Sequence, residues 1–97
     1  MTAKKNSTPE MKAIRNKIDK IDDKLLPLMV KRSHLVEKAL HLKASPSEIV
    51  DKKRINKITK KISFKTKQLN GNSKLLTNIW LSIIENFIEF EKSKFKK

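Results

Sequence analysis

Apolar residues in the first part of the chain fall at Met11, Ile14, Ile18, Ile21, Leu25, Leu28, Leu35, Ala39 and Leu42, in alternating steps of three and four with one member missing. That spacing places them on one face of a helix. The missing member is Arg32. Thr8-Pro9-Glu10 offers an N-cap, a proline in the first turn and an early acid, so the helix should begin there and run to about Lys43. Pro27 lacks the donor that a helix interior uses, but the seam keeps its phase on both sides of it. The pattern therefore predicts one long, kinked first helix. Residues 1–7 read as a disordered basic tail, ahead of a single domain at 8–97.

Ser45-Pro46-Ser47-Glu48 has the spacing of a capping box with proline at the first helical position, and predicts the start of a second helix carrying Ile49, Ile55, Ile58 and Ile62. It fades before Asn70-Gly71-Asn72, the strongest turn signal in the chain. A third helix is predicted from about Ser73 to Phe95, with Leu75, Leu76, Ile79, Trp80, Ile83, Ile84, Phe87, Ile88 and Phe95 as its apolar positions. Trp80 and the methionines read as core packing. No segment alternates as a strand does, so the fold class is all-α with three helices. At 1.5 Å per residue the first helix is about 50 Å long, against roughly 25 and 35 Å for the others. Its own partners cannot cover such a seam, which predicts an intertwined helical homodimer.

Charge adds a ligand to this picture. The net charge is +14, and of 24 basic residues only Arg15, Arg32 and Arg54 are arginines. Arginine offers a rigid planar fork that grips carboxylate or phosphate bidentately, which lysine does not. A guanidinium in an aliphatic seam is costly to desolvate unless an anion meets it, so Arg32 points to an anionic ligand, the plainer alternative being that it snorkels or pairs with a carboxylate of the chain itself. On one continuous helix Arg32 and Lys43 would share a face about 16 Å apart, whereas Arg15 lies about 25 Å from Arg32 and points roughly 100° away. If all three serve one site, Arg15 must come from the other subunit. Arg54 shares a face with Asp51, Ile58 and Ile62 and can look inward. Glu91 continues the stripe of Ile84, Phe87, Ile88 and Phe95, where burial favours a neutral acid.

Other classes are narrowed by what the chain carries. It has no cysteine and hence no disulfide or thiolate chemistry, no apolar run of membrane-spanning length, and no signal-peptide core behind Met1, all of which suit a soluble, cytoplasmic protein with no membrane partner. His34 and His41 have no acid or cysteine cluster to complete a metal site and read as surface residues, so neither metal nor cofactor is expected. The high positive charge also suits a small basic helical nucleic-acid-binding protein. Against nucleic acid stand lysines spread over every segment and aromatics gathered in an apolar stripe.

Taken in order, Arg15 early in a long helix, Ile18, Asp19, Ile21, Asp22 and Leu25-Leu26, then Lys31-Arg32 and Lys43, then Asp51 and Arg54, and finally Ile83-Ile84-Glu85 with Glu91, resemble the all-helical chorismate mutase family over residues 11–95. The resemblance implies an isomerase that needs no cofactor and converts chorismate to prephenate. It implies that Arg15 is donated across the dimer, that Arg32 and Arg54 bind substrate carboxylates, that Lys43 contacts the ether oxygen and a carboxylate, and that Glu91 faces the ether oxygen. Asp51 matches the family's acid one turn before the arginine of the second helix. Ile55 stands where mutases commonly place a glutamate for the substrate hydroxyl, and Phe87 where they often have serine; with Ile88 these would line the substrate. Both departures, with Lys43-Ala44-Ser45 and the spacing to Ile49 and Arg54, resemble the isochorismate pyruvate lyase branch, which makes salicylate. Asp51, Glu85 and Glu91 look more like the mutases, so chorismate is the first reading and isochorismate the alternative.

Overall fold

The structure is a computed structural model that describes residues 8–96; the tail expected at 1–7 lies outside them. Among the described residues there are three α-helices and no strand: α1 (Pro9–His41), α2 (Lys52–Gln68) and α3 (Ser73–Lys94), with a short 3-10 turn at Pro46–Glu48 between α1 and α2. No helix among the described residues is long and apolar enough to cross a membrane.

Helix α1 starts as its sequence dictates. Thr8 accepts from the Met11 N–H through its hydroxyl at 3.2 Å and from the Lys12 N–H through its carbonyl at 3.0 Å. The helix is continuous through Pro27 and, at 33 residues, about 50 Å long. It stops slightly short of the expected end. The N–H groups of Leu42 and Lys43 turn back to the carbonyls of Ala39 and Leu40, the tight closure common at helix C-termini. Lys43 thus stands beyond the last helical residue, and the face it was expected to share with Arg32 on one continuous helix is not defined by helical phase.

The chain forms two compact units that divide α1 after His34. In the first, every residue from 12 to 28 is exposed on the single chain, the seam members Ile14, Ile18, Ile21 and Leu25 at 50–56%. The second, from Leu35 on, holds the buried residues Leu40, Ile49, Thr66, Ile84 and Glu91. Within it α2 packs on α3. The inward stripe of α2 is Ile55, Ile58, Thr59, Ile62 and Thr66; that of α3 is Ile84, Phe87, Ile88, Glu91 and Phe95. Both follow the three-and-four step of a packed helix face.

The second helix begins later than its sequence suggested. Pro46–Glu48 makes one 3-10 turn, the backbone then becomes extended at Asp51 (φ −105°, ψ 95°), and Asp51 caps α2 by accepting the Arg54 N–H at 3.0 Å. Ile49 explains the break. It is 4% exposed, yet six residues before Ile55 it is out of helical phase with the α2 stripe, so a continuous helix could not bury both. Between α2 and α3 the expected turn forms with Asn70 as its left-handed residue (φ 60°), its N–H and that of Gly71 closing on the Lys67 and Thr66 carbonyls at 3.1 and 2.9 Å. Gly71 is needed for space, since a Cβ there would meet the Thr66 methyl at 2.9 Å.

Candidate active site

The 42–51 connection and α3 meet at a polar contact. Lys43 Nζ donates to Glu91 Oε1 at 2.7 Å, with the Glu91 side chain 8% exposed and that of Lys43 23%. Buried charge survives when it is paired and hydrogen-bonded, and this pair joins residues 48 positions apart in sequence. Glu91 is placed by the α3 stripe, one turn after Phe87 and one before Phe95, whose N–H bonds the Glu91 carbonyl at 3.0 Å. Lys43 is placed by the tight end of α1, where its N–H bonds the carbonyl of buried Leu40 at 3.0 Å.

Beside Lys43 lies an open, shallow groove lined also by Ser47, Glu48, Val50, Asp51, Lys52 and Lys53. A second groove, bordered by Asp51, Lys53, Arg54, Asn56, Lys57 and Lys60, adjoins it through Asp51 and Lys53. Basic residues outnumber acids in both linings, three to two in the first and four to one in the second, so the second is the surface that better suits an anion.

The other sequence-predicted residues distribute as follows. Arg54 is exposed instead of inward-facing, because the inward stripe of α2 is centred on Ile55, Ile58 and Ile62 and leaves Arg54 at its margin, on the groove. Asp51 is also exposed; its carboxylate holds the Arg54 backbone as a helix cap. Ile55, Phe87 and Ile88 are half-buried, and the Phe87 ring meets that of Phe90 edge-on at 6.3 Å. Arg15 is exposed in the N-terminal unit, and Arg32, in the same unit, is half-buried with Nη1 shielded from solvent. The C-terminal unit thus brings together Lys43 and Glu91, and Asp51 with Arg54.

Glu48 lies beside this pair without being among the sequence-predicted residues. Its carboxylate accepts from the N–H groups of Ala44 and Ser45, directly after Lys43. The signal for it is Ser45-x-x-Glu48, whose spacing brings the carboxylate back to the preceding amides.

A family model for chorismate mutase type II matches residues 14–92. The chain belongs to that family. The match runs from the exposed seam of α1 to the residue after Glu91, so it includes Arg15, Arg32, Lys43, Asp51, Arg54 and Glu91. No curated protein and no solved structure matches the chain. Family membership supports a chorismate mutase-type enzyme acting on a chorismate-like substrate.

Proposed function

We propose that the protein is a chorismate mutase that works as a homodimer. The observation that carries this reading is the Lys43–Glu91 pair: the two residues that the family resemblance assigns to the ether oxygen lie 2.7 Å apart in a chain of that family. The rearrangement breaks the ether C–O bond of chorismate while a C–C bond forms, and needs no nucleophile. It asks the protein to hold a dianion in a compact conformer and to stabilise negative charge growing on the ether oxygen. Arg32, Arg54 and a partner's Arg15 serve the first task. For the second, substrate draws the Lys43 ammonium from Glu91 to the ether oxygen, and Glu91 in its protonated form donates a second hydrogen bond.

Isochorismate pyruvate lyase is the second reading, and besides the Lys43-Ala44-Ser45 sequence one structural feature favours it. Ile55 and Phe87 are half-buried apolar residues at positions where mutases commonly carry polar ones. Purified protein given each substrate separately discriminates: prephenate from chorismate supports the mutase, and salicylate with pyruvate from isochorismate supports the lyase. Protein inactive on both overturns the proposal.

The dimer has its own test. An equimolar mixture of Arg15→Ala and Arg32→Ala chains, allowed to exchange, forms heterodimers in which one site inherits both defects and the other neither. Half of the sites in each heterodimer, or about a quarter of all sites, should regain turnover. A mixture no more active than its components would overturn the donation of Arg15 across the interface.

A further inference from the structure

Lys43 lies in a connection with no α-helix of its own, so something other than helical hydrogen bonding must fix its backbone. On its N-terminal side the tight end of α1 does so. On its C-terminal side the next two N–H groups, of Ala44 and Ser45, both donate to a single carboxylate oxygen, Glu48 Oε2, the Ser45 contact at 2.9 Å. Glu48 is in turn anchored. Its N–H bonds the Ser45 carbonyl at 3.1 Å, the N–H of Ile49 bonds the Pro46 carbonyl at 3.1 Å, and Ile49 is buried. The carboxylate therefore ties the residues after Lys43 to a fixed point in the core. Hydrogen bonds to an ionised acceptor are shorter and stronger than neutral ones, which suits a clamp exposed to water.

We propose that Glu48 is a positioning residue for the reaction: by clamping the Ala44 and Ser45 amides it holds Lys43 where its ammonium reaches Glu91 and the bound substrate. The inference rests on the reading of Lys43 as transition-state donor. Displacement of a reacting group by about 1 Å can cost on the order of a hundredfold in rate, so a loosened segment should lower turnover more than it weakens binding, which the arginines share.

The test uses Glu48→Ala and Glu48→Gln in the full chain. Steady-state kinetics with chorismate are read beside the exchange of the Lys43 ammonium protons by NMR, with the melting temperature as a control on folding. Glu48→Ala should lower kcat about tenfold while KM changes less than about twofold, and should speed Lys43 ammonium exchange several-fold. Glu48→Gln keeps a carbonyl acceptor in place and should recover most of both. Full turnover in Glu48→Ala, or Lys43 exchange unchanged, would overturn the proposal, as would kcat losses in both variants that merely track lost folding. If the parent turns over neither chorismate nor isochorismate, the functional reading falls, and the Lys43 exchange alone then decides whether Glu48 positions that lysine.

Discussion

The N-terminal part of α1 and the unit that begins at Leu35 are built on opposite terms. From Leu35 on, part of the apolar surface finds partners within the chain: Leu40, Ile49 and Ile84 are buried although Leu42, Phe64 and Leu69 stay exposed, and the buried acid Glu91 has Lys43 at hydrogen-bond distance. Between residues 12 and 28 every side chain is exposed, yet the apolar pattern there is just as regular. A regular seam left in water contributes nothing to the stability of a single chain. Its regularity has a physical use only if something covers it, and the homodimer proposed above would cover it with an identical seam.

The sharpest way to break this comparison is to put a charge in the seam. Ile21 is 56% exposed on the single chain, so Ile21→Asp should be neutral within about 0.5 kcal/mol if the protein acts as a monomer. If a second copy covers it, the substitution buries an unpaired carboxylate, and both the dimer and nearly all turnover should be lost. Sedimentation and activity on the same preparation decide it. A monomeric parent with full activity would end the dimeric reading.

A smaller effect is expected in the unit from Leu35 on. Lys43→Ala should lower turnover by on the order of a hundredfold, as loss of a transition-state donor does. It also leaves buried Glu91 without the ammonium that it bonds, so the melting temperature should fall as well. The sign follows from the charge. An unpaired buried charge is what the substitution would leave, so Lys43→Ala with Glu91→Gln should melt higher than Lys43→Ala alone. Turnover gives the complementary test. If Glu91 acts as a hydrogen-bond donor to the ether oxygen, Glu91→Gln, a neutral donor of similar shape, should keep most of the turnover that Glu91→Ala loses. Equal turnover in Glu91→Ala and the parent would reduce Glu91 to a structural partner of Lys43.

How much of this could be read in advance depended on whether the cause was local. Thr8-Pro9 and Asn72-Ser73 are local signals, and α1 and α3 begin where they say. The Ile84, Phe87, Ile88, Glu91 stripe is set by helical phase, so the place of Glu91 on an inward face was legible, and so was its nearness to Lys43 through the family resemblance. The start of α2 was not, because Ser45-x-x-Glu48 and Asp51 are both good caps and only burial chooses between them. The phase of Ile49 against Ile55 held that information. The exposure of Arg54 was harder to foresee, since a residue at the margin of a stripe turns inward or outward according to what packs beside it.

The smallest expected effect tests the C-terminal unit without touching its chemistry. Asn72 caps α3 by accepting the Leu75 N–H through Oδ1 at 2.9 Å, and its extended backbone (φ −85°, ψ 106°) suits that role. Asn72→Ala removes the acceptor but leaves the α2–α3 packing intact, and should cost about 1 kcal/mol. For a chain of this size that lowers the melting temperature by roughly 4–8 °C. Glu91 lies five turns further along α3, beyond the reach of fraying at its first turn, so kcat and KM measured well below the melting temperature should match the parent's within about twofold. A large fall in kcat would mean that the start of α3 is coupled to the Lys43–Glu91 pair, and that the unit from Leu35 on is less self-sufficient than its burial pattern implies.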